Sequence, residues 1–180
     1  WRNEDLIKVL AESAYVLAGA TPPENPQDAG AIAKQVVDAG ANRMHLPASP
    51  LMHGTGGFTS FQAMVVGSGI VTLENRHFDA HELWQTVQRE RVTQMAIVGD
   101  AFAKPMVRAL EGAEAKGTPY DVSSLQLIIS SGVMWSTETK QALMARGNII
   151  CFDSLGSSEG VGFAGSISAR TSISVVAGRM

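Results

Sequence analysis

Leu125-Gln-Leu-Ile-Ile-Ser-Ser-Gly-Val-Met134 and Ile149-Ile-Cys-Phe-Asp-Ser-Leu-Gly-Ser-Ser-Glu159 are the two stretches that decide how this chain folds. Each opens as an apolar run and passes at once into a small, polar, glycine-containing segment. Short apolar runs of this kind read as strands covered on both faces. Between them, Ser136 opens a helix that stops at Gly147. Strand, helix, strand is the unit of a parallel sheet.

The same alternation extends toward the N-terminus. Met95-Ala-Ile-Val98 reads as a buried strand, and Pro105 suits the first turn of a following helix striped by Met106, Ala109 and Leu110. Asp79 and Glu82 have capping-box spacing, and Ala80, Leu83, Trp84 and Val87 share one helical face. Ile70–Leu73 predicts a strand, Gly67-Ser-Gly69 a turn, and Gly57–Val66 a helix. Met44–Leu51 reads as a short strand running into a loop. Asp28 caps a short helix over Ala31–Val37 closed near Gly40, and the proline-rich Thr21–Pro26 segment is a loop. A first helix follows Asn3, with Leu6, Ile7, Leu10 and Ala14 on one face. Ser166–Met180 is β-prone with no partner identifiable in sequence. The fold class expected is α/β, a mainly parallel sheet with helices on both faces.

Composition narrows the function classes. A length of 180 residues suits one domain or part of a larger one. With 45% hydrophobic and 17% charged residues the chain is globular rather than disordered. A net charge of −3 provides no electrostatic footprint for nucleic acid or anionic lipid. No apolar run is long enough for a membrane span, and the start is not a secretory signal. Cys151 is the sole cysteine, which excludes an internal disulfide and makes a reducing cytoplasm the expected compartment. A chain opening on Trp1 without an initiator Met reads as an excerpt or a processed product.

In an open parallel sheet, ligands gather beyond the carboxyl ends of the strands. Gly132 and Gly156 allow close backbone approach there. Ser157 and Ser158 offer hydroxyl donors to phosphate, and Glu159 an oxygen ligand for a hard cation. By composition alone such a segment reads first as a turn or a helix start. Neither a Walker-type phosphate loop nor a Rossmann glycine turn occurs. His45, His77 and His81 do not form a metal set, since the break before Asp79 keeps His77 and His81 off one helix. Trp84, Met95 and Met106 lie on apolar faces and read as core, and Cys151 as packing.

Four landmarks in order resemble the acyl-CoA synthetase branch of the adenylate-forming (AMP-binding) enzymes. They are Pro50-Leu-Met-His-Gly-Thr-Gly-Gly57; Phe78-Asp-x-x-Glu82-Leu with Arg89-Glu-Arg-Val-Thr93; Tyr120-Asp-Val-Ser-Ser-Leu125 with Ser130-Ser-Gly-Val; and Asp153–Glu159. Trp1-Arg-Asn-Glu-Asp, Val98-Gly-Asp100 and Gly156-Ser-Ser-Glu-Gly160 further resemble actinobacterial synthetases for fatty or steroid side-chain acids. The resemblance implies an ATP-dependent acid:CoA ligase that adenylates a carboxylate and passes the acyl group to CoA, with magnesium as cofactor.

It also implies roles. Ser131, Gly132 and Val133 would lie against adenine, with Asp153, Ser154 and Leu155 on its other side and Gly156 and Ser157 beside the nucleotide. Ser158 would reach the α-phosphate and Glu159 would hold magnesium, the two residues nearest the chemistry. Leu155 departs from the family's aromatic residue at that position. His53 would sit near the acyl carboxylate, or be an ordinary structural histidine. Gly54, Thr55 and Gly57 would line the acyl channel, with Gly99 and Asp100 facing it, unless Asp100 caps the next helix. Trp135 is assigned to neither core nor site.

The family's Pro-Lys-Gly phosphate loop, ribose-binding Asp and C-terminal lid are absent from the sequence. Residues 1–180 are therefore expected to be a central portion of the large N-terminal AMP-binding domain, inactive alone and prone to self-association through uncovered surfaces. Two alternatives stay open: another adenylate-forming activity, luciferase-like or carrier-protein-loading, and a non-catalytic α/β module.

Overall fold

A computed structural model of the chain describes residues 21, 25, 28–40, 43–157, 160–169 and 172–176. Its elements run in the order α1 (Ala29–Asp38), β1 (Met44–Pro47), α2 (Gly54–Val65), β2 (Gly69–Ile70), α3 (Ala80–Glu90), β3 (Gln94–Ile97), α4 (Gly99–Ala115), β4 (Leu127–Ser131), α5 (Thr137–Met144), β5 (Ile150–Ser157), β6 (Gly160–Ala169) and β7 (Ser172–Val176). The strands form one sheet ordered β2-β1-β3-β4-β5-β6-β7. Pairing is parallel from β2 through β5 and antiparallel for β5–β6 and β6–β7.

Strand order reverses at β1. The chain leaves β1 through α2 to reach β2 on one side, then crosses back through α3 to β3 on the other. With right-handed crossovers, that reversal places α2 on one face and α3, α4 and α5 on the other. The packing agrees: α3 lies on α4, α4 on α5, and α1 on α2. The expected α/β class, a mostly parallel sheet with helices on both faces, is the observed one.

The core is made by the residues whose spacing announced it. Trp84, Met95 and Met106 are fully buried, together with Leu83, Val87, Ile97 and Ile128. The Trp84 indole donates to the Met106 carbonyl at 2.9 Å, so its single polar atom is satisfied inside the core. The Asp79 carboxylate accepts from the backbone N–H groups of His81 (2.8 Å) and Glu82 (3.4 Å), capping α3 as its position predicts. Glu82 does not complete the box. Its carboxylate instead accepts from Glu74 N at 2.6 Å and Asn75 N at 3.1 Å, holding the incoming chain.

Four other expectations are corrected. Only Gly69–Ile70 pairs as a strand, not Ile70–Leu73, because an edge strand has a neighbour on one side alone. Pro105 lies well inside α4, which starts at Gly99. The local cost of an interior proline is overridden by a helix face that buries Ala103, Met106, Val107, Ala109, Leu110 and Ala113. The segment after Phe152 is not a loop, since β5 continues through Ser157. Its partner is β6, and β7 in turn pairs with β6, so residues 166–169 and 172–176 of the β-prone stretch contribute to an antiparallel extension of the sheet. The helix expected after Asn3 lies outside the described residues.

A buried polar chain joins β1, β3 and α2. Gln94 Nε2 donates to His45 Nδ1 at 3.2 Å, and His45 Nε2 donates to Thr59 Oγ1 at 3.1 Å. The Thr59 hydroxyl in turn donates a hydrogen bond to the Thr55 carbonyl at 2.5 Å. His45 is thus neutral, with burial pushing the imidazole down to about 4.

Candidate functional site

Parallel pairing brings the carboxyl ends of β1, β3, β4 and β5 to one edge of the sheet, in that order. The point where the chain order reverses, between β1 and β3, is where open α/β sheets leave a crevice. His53, Gly54, Thr55 and Gly57 follow β1, and Gly99 and Asp100 follow β3, so the residues expected around an acyl group stand after the carboxyl ends of these two strands. Among the described residues the His53 imidazole makes no hydrogen bond, while its backbone carbonyl receives Gly57 N at 2.8 Å as α2 begins. Gly57 is small for a packing reason: a Cβ there would meet the Leu51 carbonyl at 2.8 Å.

The β3 and β4 ends are stitched together. Gly99 N donates to the buried Ser130 Oγ at 2.9 Å, and Asp100 N to the Met134 carbonyl at 3.1 Å. Gly99 has φ +48°, and a Cβ on it would lie 2.5 Å from the Met134 carbonyl oxygen and 2.6 Å from that of Val133. Gly99→Ala is therefore expected to cost about 1–3 kcal/mol through backbone strain and to displace Val133–Met134. Denaturant unfolding checks this; a variant as stable as the parent would contradict the packing.

Asp100 caps a helix, though not its own. Its Oδ1 accepts from Ser136 N and Ser136 Oγ, each at 3.0 Å, and from Thr139 Oγ1 at 2.8 Å, while Lys104 Nζ lies 3.3 Å from Oδ2. Partial burial alone would raise this carboxyl, but the hydrogen bonds from Ser136, Thr139 and Lys104 outweigh it and hold it below the ordinary range. Asp100 thus fixes the start of α5 and with it the loop that follows β4.

In that loop Gly132 turns the chain at φ +96°, a conformation suited to glycine. Among the described residues, the one atom within 4 Å of a Cβ built there is Val98 Cγ1, at 3.5 Å. Val133 and Met134 beside it are 51% and 80% exposed, an uncovered apolar surface of the kind a flat ring can lie on. Across the ladder, Ser130 is opposite Asp153 and Ser131 opposite Ser154. The structure thus brings Ser131, Gly132, Val133, Asp153 and Ser154 together from segments separate in sequence. Leu155, Gly156 and Ser157 continue β5 through a register irregularity, the kind of bulge that bends a strand beside a site. Ser158 and Glu159 lie outside the described residues.

One side chain here was missed in the sequence reading. Lys140, on α5, is buried and forms an ion pair with Asp153 Oδ2 at 3.1 Å. Its Nζ also lies 5.2 Å from the ring centroid of buried Trp135. The available signal was a lysine sharing a helix face with Leu143 and Met144, where a cation is out of place. Cys151, two residues before Asp153, is fully buried, which pushes its thiol up to about 12 and leaves it a packing group. Among the described residues no group of three or more His, Cys, Asp or Glu could hold a metal ion, and no helix is long and apolar enough to cross a membrane.

The sequence pattern of the family described as "AMP-binding enzyme" matches residues 27–178. This chain belongs to that family. It is 33% identical over 168 residues to the 3-oxocholest-4-en-26-oate–CoA ligase of Rhodococcus rhodochrous, covering 92% of this chain and 29% of the relative. It is 34% identical over 166 residues to the medium/long-chain-fatty-acid–CoA/3-oxocholest-4-en-26-oate–CoA ligase of Mycobacterium tuberculosis, covering 92% and 28%. The chain therefore spans less than a third of the length of these relatives. Among solved structures, the inhibitor-bound N-terminal domain of FACL13 from Mycobacterium tuberculosis superposes with a TM-score of 0.56 at 20% identity, covering 66% of this chain and 27% of that one. The luciferase-like enzyme of the mealworm Zophobas morio gives a TM-score of 0.56 at 17% identity, covering 77% and 32%. These structural likenesses speak to the fold alone.

Proposed function

We propose that the protein carrying this chain is an ATP-dependent acid:CoA ligase. The observation that carries the reading is the pairing of β4 with β5, which sets Ser131–Val133 beside Asp153–Ser154 at the sheet edge, in a chain one-third identical to acid–CoA ligases. In the first step a carboxylate oxygen attacks the α-phosphorus of ATP and pyrophosphate leaves. In the second, the CoA thiol attacks the acyl carbon, AMP leaves, and the thioester forms.

In this reading Ser131, Gly132 and Val133 cover one side of the adenine, and Asp153, Ser154 and Leu155 the other. Gly156 and Ser157 let the backbone approach, Ser158 donates to the α-phosphate, and Glu159 holds magnesium, which would neutralise phosphate charge when bound. His53 and Thr55, with Gly54, Gly57 and Gly99, border the acyl carboxylate, and Asp100 keeps the loop after β4 in place. The acid is of fatty or steroid side-chain type, a choice supported by what the two ligases named above act on. Residues 1–180 form a central part of the large nucleotide-binding domain, and the compartment is the cytoplasm, where ATP and CoA are available.

Acid-dependent release of pyrophosphate by the complete protein tests the proposal, with formation of the CoA thioester of a long-chain fatty acid or 3-oxocholest-4-en-26-oate as the second readout. No release with either acid would sink it. Purified residues 1–180 alone are expected to form no thioester; steady turnover would overturn their assignment as part of a larger catalytic unit.

A further inference from the structure

The ion pair beneath the nucleotide edge has a consequence for the reaction. Lys140 has a side chain only 9% exposed, and among the described residues the one hydrogen-bond acceptor for its ammonium is Asp153 Oδ2. Removing an ammonium from water is unfavourable unless a counter-charge sits against it. Asp153 supplies that charge from β5, and the Trp135 ring supplies a second, weaker attraction at 5.2 Å. A lysine placed at such cost on the inner side of α5 stabilises the fold little, because breaking even with an apolar side chain is the usual outcome for a buried pair. What the pair does is hold one carboxylate.

That carboxylate stands opposite Ser130, one position before the Ser131–Ser154 pair at the edge of the sheet. Its Oδ2 is taken by Lys140, while Oδ1 makes no hydrogen bond to a described residue, and the side chain is 25% exposed. We propose that Lys140 is a positioning residue for nucleotide binding: by gripping Oδ2 from behind, it keeps Asp153 oriented so that Oδ1 accepts a hydrogen bond from the amino-bearing edge of the base. This rests on the functional reading above. An ionised carboxylate has acceptors only, so the arrangement favours a base with an exocyclic amine over one with a carbonyl at that place. Without Lys140 the carboxylate loses the partner that fixes its rotamer and is free to turn.

The test compares the complete wild-type protein with Lys140→Met, Lys140→Arg, Asp153→Asn and the Lys140→Met/Asp153→Asn double variant. KM for ATP, KM for the acid, kcat with ATP against ITP, and thermal stability are measured for each. Lys140→Met is expected to raise KM for ATP about tenfold, the usual effect of losing one hydrogen bond to a charged group. It leaves KM for the acid unchanged and narrows the preference for ATP over ITP. Lys140→Arg, which keeps the pair, retains affinity. The double variant is no worse than Asp153→Asn alone, since Lys140 acts through Asp153.

An unchanged KM for ATP, equal rises in both KM values, or losses that add in the double variant would each overturn the assignment; a purely structural lysine gives the second or third. If Lys140→Met does not fold, the same cycle with Lys140→Gln decides the matter. Wild-type protein that releases no pyrophosphate with any acid overturns the functional reading itself, and this inference with it. An active wild type with an indifferent Lys140→Met overturns the inference alone.

Discussion

Replacing Trp84 with alanine is expected to lower the unfolding free energy by about 3–5 kcal/mol. Trp84 heads the large side chains that are fully buried, and it sits between α3 and α4 in the central cluster. Truncation removes its whole transfer free energy and leaves a cavity that Leu83, Val87 and Met106 cannot collapse into without leaving their own contacts. It also removes the indole donor to the Met106 carbonyl. Trp84→Phe separates the two contributions, retaining most of the apolar area and losing the donor, with an expected cost near 1–2 kcal/mol. Chemical denaturation of both variants makes the comparison. A loss below 1 kcal/mol for Trp84→Ala would mean that α3 does not pack on α4 as described.

Acid should weaken the fold through His45. Its pKa falls from 6.5 to about 4 on folding because burial penalises the imidazolium. The unfolded chain therefore binds more protons than the folded one between those values, and stability rises with pH across that window. Full stabilisation is present above 6.5, and about 3 kcal/mol is lost as the pH falls through the folded-state value. The partners of the ring, Gln94 and Thr59, are neutral and provide no counter-charge to soften the loss. His45→Gln, which does not titrate, should flatten the pH dependence of the unfolding free energy between 6.5 and 4 by about that amount, whatever it costs at neutral pH. An identical pH slope in the two proteins would refute the assignment. Because Thr59 lies in the first half of α2, protonation of His45 is expected to loosen the helix that follows His53.

Much of the fold was legible because it is written in local physics. The apolar runs at Met95–Val98 and Leu125–Ile129 match strands to within two residues. Asp79 and Ser136 cap the helices their positions announce. Each of those signals needs only the residues within a turn or two.

The misreadings share a different cause. Asp153–Ser157 looks like a loop in sequence because serine and glycine disfavour strands; it is strand because β6 returns to pair with it. Pro105 looks like a helix start because the packing that holds the preceding turn of α4 is tertiary. Asp100 was weighed as a cap for its own helix or a channel residue, yet its carboxylate holds Ser136 and Thr139, on the neighbouring one.

Sequence by itself determined the α/β class, the succession of strands and helices, the apolar core around Trp84, and the family, which is carried by short ordered motifs. Only the tertiary structure decided what those motifs do to one another: the register that sets Ser131 beside Ser154, the seam between Gly99 and Met134, and the Lys140–Asp153 pair. The physical reason is the range of the forces involved. Propensity, capping and periodicity act along the chain, whereas a buried charge or a close backbone contact depends on which distant segment folding brings against it.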